Sequence, residues 1–280
     1  MSLLRAINPV ANAAAFPRLT LLLLRHRELA IELARRDLTD RYEGQILGAL
    51  WVFGHPLLMF GLYVFVFGYI FVVRTGGSVE MPRNYVIYLM AGLVPWLACA
   101  DVLNRSVGTI LSNAPLVRQI SFPVEILPVK VVLSAAITEL VTLTILIVYA
   151  LWMDNVPLFA IWTVPLLLAL QLMLMIGIAY VLSALGAYLK DLKDVITFVA
   201  SANFFLMPMI YLPSSTPVIF GHLFYLNPFS YQIWCWQDAL YFGRFEHPWA
   251  WPVLIALSCF AYVLGYRTFG KLRPGFGDIL

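Results

Sequence analysis

Charge is what this sequence has least of. Only 12% of its 280 residues are Asp, Glu, Lys or Arg, where a soluble domain carries roughly 25%. With 62% hydrophobic residues, too little polar surface remains to cover a water-soluble fold. The net charge of +3 comes from scattered basic residues and excludes a nucleic-acid partner. Cysteine is scarce: Cys99, Cys235 and Cys259 lie far apart in apolar surroundings, without the spacing of a disulfide framework or a zinc site, and read as inert buried thiols. The four histidines (His26, His55, His222, His247) show no metal-ligand spacing. No secretory leader is evident, because the apolar run Leu19–Leu24 is short and lacks a small-residue cleavage site. Nucleophile elbows and Gly-rich dinucleotide loops are missing too. One run, Gly265-Tyr-Arg-Thr-Phe-Gly270-Lys271, has the glycine and lysine spacing of a phosphate loop, but Leu272 stands where the magnesium-binding Ser or Thr should be. The chain therefore reads as no enzyme, binding no metal or cofactor itself. Any ATP and magnesium must be handled by another chain.

Long apolar runs are what the sequence has instead. A helix needs about 20 apolar residues to cross the hydrocarbon. Six segments qualify: Leu47–Val73, Tyr85–Leu103, Ile126–Trp152, Leu158–Leu189, Val195–Leu212 and Trp249–Phe269. Dyad alternation is too weak for a β-barrel, so the fold class is an all-α bundle of six transmembrane helices. Three regions follow: a cytoplasmic N-terminal segment over 1–46, the six-span transmembrane domain over 47–269, and a cytoplasmic tail over 270–280. Fifteen basic residues fall on one side of this topology. They are Arg5, Arg18, Arg25, Arg27, Arg35, Arg36, Arg41, Arg105, Arg118, Lys130, Lys190, Lys193, Arg267, Lys271 and Arg273. Only Arg74, Arg83 and Arg244 fall on the other. The bias puts both termini in the cytoplasm.

Between the spans, four regions stand out. Arg25–Leu38 reads as an amphipathic helix on the inner membrane surface, its charges gathered on one arc and supported by Arg/Glu neighbours three and four apart. It is either an anchor alone or a cuff that also touches a cytoplasmic partner. Asn113–Pro128 carries Pro115, Pro123 and Pro128 around Leu116–Phe122, which fits a short helix lying across the membrane plane. Lys190-Asp191-Leu192-Lys193-Asp194 suits a tight solvated turn. Ser214–Phe245 is too apolar for a free loop and too interrupted for a span, and reads as re-entrant or interfacial short helices at the outer face. Its aromatics, Trp234 and Trp236 among them, form either a headgroup belt or a stacking surface for sugar rings. Within the spans, Asp101 and Arg105 read as a structural ion pair. Glu139, mid-span, is a protonated packing residue, a polar contact to another helix or copy, or part of a proton relay.

The order of several short motifs is more specific. Arg35-Arg36-Asp37-Leu38-Thr39-Asp40-Arg41-Tyr42, then Leu47-Gly48-Ala49-Leu50-Trp51 and Pro56-Leu57, resembles the start of a polysaccharide-exporter permease, the membrane subunit of type-2 ABC exporters of O-antigen, capsule or teichoic acid. Gly92-Leu93-Val94-Pro95-Trp96, Phe122-Pro123 with Leu127-Pro128, Asp191-Leu192-Lys193-Asp194, Pro208-Met209-Ile210-Tyr211 and Asn227-Pro228 continue the likeness from about residue 25 to 245. Gln45-Ile46 replaces the usual Ser or Thr ahead of Leu-Gly, and Lys190 replaces an Arg.

The resemblance implies a multi-pass protein of the bacterial inner membrane that works as two copies with two ATP-binding cassette subunits on a lipid-linked glycan. It makes Arg35, Arg36, Asp37, Arg41 and Tyr42 parts of an interface helix. It makes Leu116, Val117, Arg118, Gln119, Ile120 and Phe122, with Lys190, Asp191, Lys193 and Asp194, the elements coupled to the ATPase. Asn227, Tyr231, Trp234 and Trp236 would belong to an outer gate or glycan path. The nearest alternative is a related ABC permease for drugs or lipo-oligosaccharides. A secondary transporter would show internal repeats and paired mid-membrane polar sites, and a membrane transferase an acidic or histidine cluster at one face.

Overall fold

The computed structural model describes residues 9–70, 84–119, 122–153, 157–211 and 218–279. Among these, every regular element is helical. Helices α1 (Pro9–Arg25) and α2 (Arg27–Asp40) lead through a 3-10 turn at Gly48–Leu50 into α3 (Trp51–Phe65), which ends in a π turn at Val66–Ile70. Next come α4 (Tyr85–Ser106), the single turns α5 (Thr109–Ser112) and α6 (Ala114–Val117), α7 (Ile126–Met153) and α8 (Phe159–Tyr188). The remainder holds α9 (Leu192–Phe205), α10 (Val218–Leu226), α11 (Pro228–Gln237) with a π turn at Asp238–Phe242, α12 (Ala250–Leu272) and the turn α13 (Phe276–Ile279).

Five helical stretches are long and apolar enough to cross a membrane: Gly48–Ile70, Tyr85–Ser106, Ile126–Met153, Phe159–Tyr188 and Ala250–Gly275. They match five of the six expected segments within a few residues. The sixth, Val195–Leu212, differs. Its helix α9 has 14 residues, a length of roughly 21 Å at 1.5 Å per residue, short of the roughly 30 Å hydrocarbon. Pro208, which lacks an N–H, keeps the helix from continuing. The irregular backbone that follows is buried, with Met207 and Met209 sealed in the core. Side chains from other helices satisfy its carbonyls: Asn227 Nδ2 donates to Leu206 O (3.1 Å), Gln237 Nε2 and Tyr88 Oη to Pro208 O (both 3.1 Å), and Tyr85 Oη to Ile210 O (2.6 Å). Non-helical backbone at membrane depth is tolerated on those terms.

Helix α4 forms the centre of the bundle, 83% buried along its apolar stretch, whereas that of α3 is 17% buried and faces outward. Asn84 opens α4 by accepting from the Val86 N–H (2.8 Å), satisfying one of the orphan donors of the first turn. Pro128 falls in the first turn of α7, where a missing N–H costs nothing, so it begins the helix and does not bound the preceding segment.

Helices α8 and α12 make the most extensive interface, and they run parallel. Phe159 meets Trp251 near their first turns, Tyr180 meets Tyr266 and Phe269 further on, and Tyr188 meets Phe276 past the end. Gly177 and Gly265 lie at the closest approach, where a Cβ on either would run into the other helix's backbone. The run 265–271 is thus continuous helix whose first glycine serves packing. Parallel neighbours also require the chain between Leu189 and Trp249 to travel back along the bundle.

The N-terminal pair also differs in detail from expectation. A break at His26 separates α2 from α1, which the sequence reading did not separate as a helix. Leu19 of α1 is buried, Phe16 lies against the ring of Tyr262 in α12 (5.3 Å), and Thr20 Oγ1 is 3.3 Å from Tyr262 Oη. In α2, Ala30, Ala34 and Leu38 form a buried stripe at four-residue spacing, and the helix packs on α7.

Candidate functional site

One end of the bundle collects the basic residues, and the expected coupling segment lies there. Pro115 starts α6, a single turn that ends at Val117. Leu116, Val117 and Phe122 are half-buried against the bundle's own core, so they hold the segment in place. Arg118 and Gln119 point outward and are exposed; Ile120 lies outside the described residues. Lys130 Nζ donates to Asn113 Oδ1 (2.8 Å) and fixes the start of the turn to α7. Lys190 and Asp191 between α8 and α9, with Lys193 and Asp194 in the first turn of α9, are exposed at this same end.

The C-terminal turn is the part sequence reasoning missed. Arg273 pairs with Glu125 at the start of α7, Tyr188 Oη donates to Leu272 O (2.8 Å), and Phe276 is buried edge-on against Phe269. Together these residues and the α6 segment enclose a cleft of about 370 Å³. Val117, Arg118, Gln119 and Phe122 form one wall, Arg273, Phe276 and Gly277 the other, and Val124 also lines it.

Deeper at this end, charges from α2 and α4 close into a ring. Arg41 Nη2 lies 3.1 Å from Asp101 Oδ2 and 3.7 Å from Asp37 Oδ2. Arg105 Nη1 lies 3.0 Å from the same Asp101 oxygen, and its Nη2 pairs with Asp37. Each cation faces both anions, and both guanidinium groups donate to Ser134 Oγ of α7 (3.2 and 3.0 Å). Partly desolvated charges of this kind are tolerated because each is paired and hydrogen-bonded. The expected Asp101/Arg105 pair is present, and its partners come from α2 and the residue that follows it. Arg35 and Arg36 face away and are exposed, with Arg36 in a loose surface pair with Asp40 (3.7 Å); Tyr42 is half-buried.

The opposite end is aromatic, and the structure corrects one expectation there. Trp236 is fully buried and offers no free ring face. Its Nε1 donates to Gln171 Oε1 (2.9 Å), and Gln171 Nε2 donates to Glu139 Oε1 (2.7 Å) and Pro95 O (3.3 Å). Glu139 is therefore a polar contact to another helix of its own chain, tying α7 through α8 to α11. Gln171 was not singled out from sequence, although a lone Gln in a span is a readable signal. Trp234 is also buried, stacked on His247 (5.7 Å) and edge-on to Trp249 (4.6 Å). Tyr231 is half-buried, its Oη donating to Tyr225 O (2.7 Å). Asn227 caps α11 by accepting from Phe229 N–H (3.1 Å), and its Nδ2 reaches Asn203 Oδ1 of α9 (2.8 Å). The fully buried Asp238 anchors the turn before α12 by accepting from Trp251 Nε1 (3.0 Å) and the His247 N–H (3.1 Å). The π turn Asp238–Phe242 is capped by Gly243, and residues 214–217 of the expected re-entrant stretch lie outside the described set.

Comparison with known proteins gives these features a context. The family model for the ABC-2 type transporter matches residues 28–241, from α2 to the π turn after α11. The chain belongs to that family. The O-antigen export system permease protein RfbA of Klebsiella pneumoniae is 26% identical over 254 residues, 90% of this chain and 95% of that protein. Its namesake in Myxococcus xanthus is 27% identical over 202 residues, 71% and 74% of the two chains. The polysialic acid transport protein KpsM of Escherichia coli is 24% identical over 210 residues, 73% and 78%. As an ABC-2 type transporter the chain is a multi-pass membrane transport component that works with an ATP-binding partner. α12 and the C-terminal turn lie beyond the matched stretch.

Proposed function

We propose that this chain is the permease of an exporter that carries a lipid-linked polysaccharide, of the O-antigen or capsule class, across the bacterial inner membrane. The observation that carries the reading is the extent of its likeness to an O-antigen export permease, 90% of the chain. The reading includes six crossings: the five long helices, and a broken one in which α9 and the buried backbone after it make the return between the parallel helices α8 and α12. The basic end faces the cytoplasm, as does each terminus, and α2 lies at the inner membrane surface. A second copy is the partner, since six crossings in one chain are too few to enclose a wide polymer path. ATP and magnesium belong to two cassette subunits, which engage the α6 segment and the Lys190–Asp194 turn. At the other end, the half-buried Tyr231 and the rings beside it border the glycan's exit. Deleting the gene tests the reading: lipid-linked glycan should accumulate inside the cell and reach the surface again on complementation. Unchanged surface glycan with no accumulation would contradict it.

A further inference from the structure

The cleft between α6 and the C-terminal turn has no task in the reading above, which assigns the α6 segment alone. We infer that the C-terminal turn is the second wall of a docking cleft for the ATP-binding partner, whose occupant is a short segment presenting an apolar side chain beside a carboxylate. This rests on the proposed function for the identity of the partner. Four observations carry it. First, the turn is a built element: Tyr188 Oη holds Leu272 O (2.8 Å), Glu125 holds Arg273, Phe276 is buried, and a Cβ on Gly275 would collide with Tyr188 Oη. Second, the lining mixes apolar and cationic groups at the basic end. By contrast, the larger groove between α3 and α7 (about 530 Å³) is lined by Phe53, Leu57, Leu140 and similar side chains, which acyl chains satisfy. Third, Arg118 is exposed and has no acidic partner among the side chains that are described, while the acid at the cleft's edge, Glu125, is engaged by Arg273. A carboxylate from outside completes that set. Fourth, Glu125 lies just ahead of α7, Arg273 follows α12, and Tyr188 ends α8. A body seated here therefore presses on three long helices at once, beyond what α6 could relay.

Cysteine accessibility in the intact exporter tests this. Gln119→Cys marks one wall and Gly277→Cys the other, where a Cβ meets open space. Each is labelled with a bulky polyethylene-glycol maleimide in membranes holding the permease alone or with its ATP-binding partner, the parent chain's own labelling being subtracted. Both should label freely alone and fall to background on assembly. Protection of Gln119→Cys with Gly277→Cys still fully labelled would overturn the two-walled cleft and leave the proposed function standing. Neither protected would overturn both. Protection of both without the partner would assign the cleft to a second copy and overturn the inference. A charge readout separates docking from folding: Gly277→Glu should lower partner-dependent ATP hydrolysis, and Gly277→Lys should not. Equal effects would count against the carboxylate.

Discussion

Residues in this chain gain their meaning from partners far away in sequence. Asp101 and Arg105 are legible as a pair because four-residue spacing stacks them on one helix face. Their other partners, Asp37 and Arg41, lie 68 and 60 positions upstream of Arg105 and Asp101, and no local pattern announces the closed ring. Removing one member leaves two like charges sharing a single partner in a partly buried site. Arg105→Ala should therefore cost about 1–3 kcal/mol, discounted for the ring's residual exposure, and lower the melting temperature in detergent. Arg36→Ala, which loses only the exposed pair with Asp40, should change it little. The swap Asp37→Arg with Arg105→Asp should recover part of the loss. Trp236 teaches the complementary lesson. Sequence shows a tryptophan in an aromatic run, but an aromatic run does not say which ring faces inward. The buried Nε1 bond to Gln171 decides it, so Trp236→Phe should destabilise by about 1–3 kcal/mol by leaving the Gln171 oxygen unpaired. A Phe variant as stable as the parent would show that this bond contributes nothing net.

Elements were legible where length and apolarity suffice. The five long spans follow from hydrocarbon thickness, and their ends fell within a few residues of expectation. The fifth expected segment was not legible as a broken element, because what sustains it is three-dimensional. Tyr85, Tyr88, Asn227 and Gln237 supply the donors that replace lost helical bonds around Pro208. α1 was passed over because its apolar run is short, and only α12 shows that Leu19 has a seat. The near-match to a phosphate loop likewise dissolves at this scale, since Gly265 belongs to a helix seam. That seam makes a graded prediction. Gly177→Leu or Gly265→Val should overpack α8 against α12, costing about 1–3 kcal/mol or more and depleting folded protein from the membrane, read by fluorescence-detected size exclusion. Gly270→Ala, whose Cβ meets open space on the same helix, should leave the elution profile unchanged.

At the scale of the whole molecule, Arg41, Arg105, Arg118, Lys130, Lys190, Lys193 and Arg273 stand at one end of the bundle. The α6 segment, the Lys190–Asp194 turn and the C-terminal turn stand on that end, and the buried Glu139–Gln171–Trp236 chain runs through the middle towards the aromatic one. This arrangement suits a machine pushed at one face to move cargo through the other. Arg118→Glu isolates the push. It changes an exposed side chain, so it should leave insertion intact while ATP-driven transport falls at least about tenfold, a difference of about 1.4 kcal/mol. The most direct measurement reconstitutes the permease with its ATP-binding partner in vesicles holding lipid-linked glycan, and follows protection or exposure of the glycan as ATP is added. The account predicts glycan crossing that requires ATP, both proteins, and Arg118. Crossing at the same rate without the partner or without ATP would contradict it.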